Sequence, residues 1–229
     1  MKKYHGVIAA DIIASTSIPS EDKKELLKAL QKFLHSLKNQ GVTSRIVKGD
    51  QIEMVISDPK ETLRFALMVK TFIKGKSPSV NKIKSVKSKR LQYFERYGLR
   101  MALAVDTMLS VQRGSGLWEG EAIYAAGRAI SGDHSSRGQK VVIKSTMDFL
   151  SSQKEWERQF DPMIKLIDVL ISKATARQCE ILLYRLMDKS EDQISKFLKI
   201  SQPAVNQSLN AIGWRAIQKA IIYFSETIK

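Results

Sequence analysis

The sequence is poor in residues that cross-link a chain or bind metals through sulfur. Its 229 residues include one cysteine, Cys179, and three histidines. A single cysteine excludes a disulfide within the chain and a cysteine-based metal site. The three histidines, His5, His35 and His134, do not have the spacing of a ligand set, so we interpret them as surface or hydrogen-bonded side chains.

Long hydrophobic runs are also lacking. No stretch approaches the roughly 20 apolar residues that a membrane-spanning helix needs. The N-terminal sequence MKKYHGVIAADII has no cleavage-site pattern after its short apolar stretch. We therefore expect a cytoplasmic protein without a membrane partner. The hydrophobic fraction of 43% is typical of a globular chain, and the length is sufficient for two hydrophobic cores.

Acidic residues are few compared with basic ones, and the net charge is +15. Only +3 of this charge belongs to residues 151–229, whereas residues 74–96 alone carry +7. That basic insert shows no sustained period, which predicts a loop followed by a short helix from about Lys89. It could bind nucleic-acid backbone or be a solvated loop. Its candidate contact residues are Lys82, Lys84, Lys87, Lys89 and Arg90.

Residues 190–214 have the pattern of two short amphipathic helices joined by a corner. Apolar residues repeat at intervals of 3, 4 or 7 on either side of a break at residues 199–201. Ser190 and Ser201 are suitable N-caps, and Pro203 lies just inside the second helix, where its missing N–H costs nothing. The second helix carries polar side chains off its apolar stripe that can pair with base edges, namely Gln202, Asn206, Gln207 and Asn210.

The segment QISKFLKISQPAVNQSL, residues 193–209, resembles the helix-turn-helix of LuxR-type and sigma-region-4-type regulators. Residues 175–186 resemble the helix that supports it in those families. Two positions depart from the pattern, with Lys199 in place of the usual turn glycine and Ser195 in place of a small alanine. A left-handed backbone conformation at Lys199 would reduce the stability of the fold by about 1 kcal/mol. An ordinary helical hairpin in a core is the alternative interpretation.

The helix-turn-helix resemblance implies that double-stranded DNA is the partner and that the protein is a homodimer. In this interpretation the second helix reads bases in the major groove. The candidates for phosphate contacts are Lys196, Lys199, Arg215 and Lys219.

The first 150 residues show a different order of elements. The patterns predict a strand at 6–12, a helix from Ser20 to Gly41, a hairpin through Gly49 and Asp50, and a helix at 59–73. A strand at 98–107, a helix at 119–131 and a final strand with a short helix at 138–150 follow. This order predicts an α+β fold with a ferredoxin-like sheet, followed by a small all-α domain.

Four segments in this region resemble motifs of class III nucleotide cyclases. They are VIAADIIAST, VKGDQIEMVI, GEAIYAAGRAI and GQKVVIKST, and the resemblance covers residues 4–150. Together with the helix-turn-helix, it extends to the SatD-like bacterial proteins. It implies that Asp11, Asp50 and the carbonyl of Ile12 hold Mg²⁺ or Mn²⁺. It also implies that Arg128 stabilises charge in the transition state if any catalysis survives.

The residue that orients the ribose and the two that read the base in those cyclases do not match. Tyr124, Leu117 and Ile46 stand where the family has an asparagine, an aspartate and a lysine. We therefore expect a domain that senses a metal or nucleotide, or dimerises, without turnover. The alternative interpretation is that Asp11 caps a turn and Asp50 is an ordinary hairpin residue.

We place a domain boundary before Pro162, because the residue that precedes a proline resists helix. The cyclase-like domain is then 1–160 and the helical domain is 161–229, with the helix-turn-helix at about 174–214. The predicted function is a DNA-binding transcription regulator. The alternatives are a metal-dependent nucleotidyl cyclase or related transferase regulated by its C-terminal helices, and a scaffold that binds another protein.

Overall fold

The computed structural model describes residues 3–47, 49–76, 89–111, 118–131 and 145–228, with backbone alone at 89, 90 and 131. The strands are β1 Tyr4–Ile12, β2 Val42–Val47, β3 Gln51–Ile56, β4 Leu99–Val111, β5 Trp118–Gly120 and β6 Met147–Leu150. The helices are α1 Ser20–Ser36, α2 Thr62–Gly75, α3 Lys89–Tyr97, α4 Glu121–Ser131, α5 Lys154–Lys173, α6 Ala176–Leu186, α7 Glu191–Leu198, α8 Gln202–Ala211 and α9 Trp214–Thr227.

Four strands form an antiparallel sheet in the order β2-β3-β1-β4. This order arises because each of the helices α1 and α2 connects two strands that flank a third. It is the ferredoxin-like order, and the predicted fold class is confirmed. We call this sheet with α1 to α4 and its edge strands the palm. β5 pairs antiparallel with β4, and β6 pairs parallel with it.

The central strand β1 is buried on both faces of the sheet, as its continuous apolar run predicts. Ile8 and Ala10 belong to the large core that includes α1 and α2. Val7 and Ala9 belong to a smaller core that α4 covers. Because side chains alternate along a strand, Asp11 lies on the α4 side of the sheet.

The predicted short helix at the end of residues 138–150 is wrong. Met147–Leu150 form β6, with Met147 and Phe149 buried and the residues between and after them partly exposed. This alternation and the pairing with β4 favour a strand over the local preference for helix. The predicted strand in GQKVVIKST, residues 138–146, lies outside the described residues up to residue 144.

The reason given for a boundary before Pro162, that Asp161 would resist helix, does not hold, because α5 continues through this proline from Lys154 to Lys173. Pro162 is exposed, so water can reach the carbonyl group that its missing N–H leaves unbonded. The buried side of α5 carries Phe160, Ile164, Ile167 and Ile171. Burial of this stripe stabilises the helix on both sides of the proline.

The hydrophobic core is continuous between the palm and the C-terminal helices. The rings of Phe149 in β6, Phe160 in α5 and Phe224 in α9 contact one another, with centroid separations of 5.5, 5.7 and 4.6 Å. The predicted boundary at 160/161 falls inside α5 and beside this cluster. The division into two folding units stays a prediction.

A buried ion pair joins α2 to α5. The Lys70 ammonium lies 3.0 Å from Asp168 and donates to the Thr146 hydroxyl at 2.7 Å. Burial raises the pKa of Asp168, but Lys70 and the hydrogen bonds from Thr146 outweigh this effect and keep the pKa below its usual value. Such a pair is costly to break on one side only, because the remaining charge would be buried alone.

One turn further along α2, Lys74 donates to three backbone carbonyl groups, those of Arg96, Ile171 and Ser172, at 2.6 to 2.8 Å. Burial lowers its pKa to about 8. The nearby thiol of Cys179 is buried, and burial raises its pKa to about 11. Cys179 is therefore a core residue with an unreactive thiol. None of the helices in the described ranges could cross a membrane, because none is long and apolar enough.

Candidate nucleic-acid interface and palm carboxylates

Local sequence fixes the ends of α6 and α7. Thr175 and Gln178 form a reciprocal capping box at α6, with hydrogen bonds of 3.2 and 2.9 Å. Ser190 and Gln193 form the same arrangement at α7, at 3.2 and 3.0 Å. Each box satisfies two groups that a helix terminus would otherwise leave unpaired. The predicted cap at Ser190 is confirmed.

The corner between α7 and α8 lies at Lys199. This residue has φ 52° and ψ 47°. It therefore adopts the left-handed conformation that a glycine usually provides at this turn. The turn is closed by a hydrogen bond of 3.1 Å from the Ile200 amide to the Ser195 carbonyl. The predicted pair of short helices and its tight turn are therefore present, and α8 begins after Ser201 with Pro203 in its first turn.

Helix α8 has an apolar side and an amide-bearing side. Val205, Leu209 and the following Ile212 are buried against the neighbouring helices. The exposed side is formed by the four predicted base-reading residues, Gln202, Asn206, Gln207 and Asn210. Together with Pro203 and Glu191, they line an open depression of about 480 Å³. We call these four side chains the amide face.

Hydrogen bonds connect part of the amide face to α7. Asn206 donates through Nδ2 to the Glu191 carboxylate, at 3.2 and 3.4 Å from its two oxygens. Asn210 donates through Nδ2 to the Asn206 Oδ1 at 2.8 Å. In the part of the chain that the structure describes, the side-chain amides of Gln202 and Gln207 have no hydrogen-bond partner. The amides of these two glutamines are available to other molecules.

Sequence reasoning missed Glu191 as a member of this face. It was visible only as an acidic residue in the first turn of α7, where carboxylates favour the helix dipole. Its contact with Asn206 spans 15 positions and depends on how α7 crosses α8. No periodicity within one helix could have indicated it.

The predicted phosphate-contacting residues lie at the surface around α7, α8 and α9. Lys196, Lys199, Arg215 and Lys219 are all exposed. Lys196 is 2.7 Å from Asp192, its neighbour one turn back, so part of its charge is balanced within α7. Phe197, which follows the apolar period, is 60% exposed and stacks on Tyr184 with a centroid separation of 5.9 Å.

In the palm, the Asp11 carboxylate forms an ion pair with Arg100. The two residues are directly opposite in the β1/β4 register, and two nitrogens of Arg100 donate to the two carboxylate oxygens at 3.2 Å each. The Asp50 carboxylate accepts a short hydrogen bond from the Ser15 hydroxyl. The Asp50 carbonyl accepts from the Ile12 amide at 3.2 Å, which joins the hairpin to the end of β1.

These contacts do not fit the predicted Mg²⁺ or Mn²⁺ site at Asp11, Ile12 and Asp50. A cation at Asp11 would lie beside the guanidinium of Arg100 and would be repelled by it. Within the described ranges, no three histidine, cysteine, aspartate or glutamate residues are grouped so that they could hold a metal ion. Arg128 and Tyr124 lie on the exposed side of α4.

The basic insert is described only in part. Lys82, Lys84 and Lys87 lie outside the described residues. The backbone of Lys89 and Arg90 begins α3, so the predicted short helix from about Lys89 is confirmed.

Comparison with solved structures finds nucleotide cyclases. A bacterial light-regulated adenylyl cyclase matches with 14% identity over 65% of this chain and 76% of its own, with a TM-score of 0.41. The adenylyl cyclase CyaB from P. aeruginosa matches with 16% identity over 58% of this chain and 73% of its own, with a TM-score of 0.40. The guanylyl cyclase Cya2 matches with 10% identity over 56% of this chain and 69% of its own, with a TM-score of 0.37.

No protein-family model and no curated protein sequence matches this chain. The palm has a ferredoxin-like fold. The assignment of that fold rests on the strand order of the palm itself.

Proposed function

We propose that this protein is a DNA-binding transcription regulator, in which α7 and α8 form a helix-turn-helix. The observation that supports this most strongly is the amide face of α8. Four exposed glutamine and asparagine side chains follow one side of a short helix whose other side is buried. Side-chain amides pair with base edges in the major groove, adenine in particular.

The roles of the residues follow from their positions. Gln202 and Gln207 have unpaired amides and would read bases directly. Lys199 lies at the corner beside the N-terminus of α8, which favours a phosphate oxygen. Lys196, Arg215 and Lys219 would contact phosphates on either side and fix the orientation of α8 in the groove.

In this proposal the palm regulates DNA binding. The Asp11–Arg100 pair is consistent with a domain that senses a ligand or forms a homodimer without catalysing cyclisation. The first 150 residues also hold +12 of the net charge, which would add salt-dependent affinity for the DNA backbone. A homodimer would place two α8 helices on two half-sites.

Selection of bound duplexes from a random DNA library, followed by titration of the enriched sequence, tests the proposal. We expect the full chain to enrich a motif. Replacing Asn206 and Gln207 together by alanine should relax the preference for that motif. Lys199→Ala should weaken binding to all sequences by a similar factor and reduce the slope of log affinity against log salt by about 1.

Failure to bind any duplex in a salt-dependent manner would reject the regulator and favour a protein-binding scaffold. The enzyme alternative has its own test, incubation with Mg²⁺ or Mn²⁺ and each of the four nucleoside triphosphates. A cyclic or linear product that disappears in Asp50→Ala would establish a nucleotidyl cyclase or related transferase instead.

A further inference from the structure

A carboxylate lies at the edge of the amide face. A negative charge is not expected in a surface that binds a polyanion. Glu191 is the first residue of α7, is partly buried, and lines the same depression as the four amides. Its neighbour Asp192 is exposed and pairs with Lys196. Glu191 pairs instead with Asn206 on the helix that would enter the groove.

The carboxylate dictates how the two asparagine amides are oriented. An ionised carboxylate only accepts hydrogen bonds, so Asn206 must present Nδ2 to Glu191. Its Oδ1 then faces Asn210, and because that oxygen also only accepts, Asn210 must present its own Nδ2. The charge of Glu191 thus fixes the orientation of two amides through a series of side-chain hydrogen bonds, which runs from α7 to the last turn of α8.

The polar atoms left for DNA follow from this orientation. Asn210, at the end of this series of hydrogen bonds in α8, keeps both lone pairs of its Oδ1 and one amide hydrogen, so this end offers more acceptors than donors. Asn206 keeps one amide hydrogen and one lone pair of its Oδ1, in an orientation that its bond to Glu191 fixes. In the major groove the complementary donors are the amino groups of cytosine N4 and adenine N6, whereas guanine offers acceptors.

We infer that Glu191 is a specificity-determining residue that positions the amides of Asn206 and Asn210, so that α8 favours base edges carrying amino groups at those positions. This inference rests on the proposed function, since it assigns the reading of the same face. The carboxylate also repels phosphate, so it lowers affinity for unmatched DNA while it fixes the orientation of the amides.

The test compares Glu191→Gln with Asp192→Asn in the full chain. Both variants remove one negative charge from the first turn of α7, but only Glu191 contacts Asn206. Each variant is used to select from a random duplex library and is titrated with a fixed duplex of random sequence. We expect both variants to bind the random duplex more tightly by a similar factor.

Only Glu191→Gln should alter the motif, because a glutamine can donate as well as accept and no longer forces one amide orientation. At the affected positions the preference for adenine or cytosine should fall by about tenfold. The double variant Glu191→Gln with Asn206→Ala should select the same motif as Asn206→Ala alone, since the two residues act as a unit.

An unchanged motif in Glu191→Gln, with DNA binding intact, overturns this inference and leaves the regulator proposal standing. The same applies if Asp192→Asn changes the motif equally, because the effect would then be one of charge alone. Absence of DNA binding by the unaltered protein overturns both.

Discussion

Lys199 holds a backbone conformation that most side chains disfavour. Its left-handed φ and ψ bring the Cβ atom close to the following carbonyl oxygen, which costs a non-glycine residue about 1 kcal/mol or more. The side chain is exposed and contributes little packing that could offset this cost. Retention of a lysine at such a position is consistent with a contact to a phosphate, which glycine could not make.

Lys199→Gly should therefore stabilise the isolated protein while it weakens DNA binding. We expect the free energy of unfolding to rise by about 1 kcal/mol, measured by urea denaturation. Lys196→Gly serves as the matched control. It makes the same chemical change inside α7, where glycine costs about 1 kcal/mol, so its effect on stability should have the opposite sign. A loss of stability in Lys199→Gly would show that the lysine side chain stabilises the corner.

At the scale of elements, α5 shows how packing overrides a local signal. Pro162 lies inside the helix and removes one backbone hydrogen bond, and a helix of this sequence alone would be expected to end there. The four buried residues on both sides of the proline make the continuous helix more favourable. Asp161 adds a hydrogen bond of 3.1 Å from the Phe149 amide, which joins α5 to β6.

Because Pro162 is exposed, Pro162→Ala should restore the missing hydrogen bond without changing the core. We expect the free energy of unfolding to increase by about 2 kcal/mol, the cost of an interior proline less the entropy that proline removes from the unfolded chain. Gln159→Ala, which also alters an exposed position of α5, should change it by less than about 0.5 kcal/mol. If Pro162→Ala is destabilising, the core requires a bend at this proline.

At the scale of the whole molecule, the continuous core predicts that the palm and the C-terminal helices unfold together. Phe149, Phe160 and Phe224 form one aromatic cluster, and the Lys70–Asp168 pair joins α2 to α5. A change of the ligand state of the palm would therefore reach the helices that carry the amide face through α5 and α9. This coupling is what regulation of DNA binding by the palm requires.

Phe224→Ala in α9 tests this coupling. Removing a buried phenylalanine should lower the free energy of unfolding by about 3 to 5 kcal/mol. Two versions of the protein, retaining only Trp118 in the palm or only Trp214 in α9, report on the two parts by fluorescence. We expect both signals to shift to the same lower denaturant midpoint.

The control for this experiment is Ile222→Ala, which truncates an exposed side chain of the same helix and should shift both signals only slightly. A shift of the Trp214 signal alone would contradict a single cooperative unit and would support the predicted division at residue 160.

The sequence by itself determined the elements whose signals are local. The caps at Ser190, the corner at Lys199, the apolar side of α8 and the ferredoxin-like strand order follow from periodicity and from residues a few positions apart. Only the tertiary structure decided which distant side chains meet. It paired Asp11 with Arg100 across two strands, placed Glu191 against Asn206 across two helices, and carried α5 through Pro162. These outcomes depend on register, helix crossing and burial, which no single segment encodes.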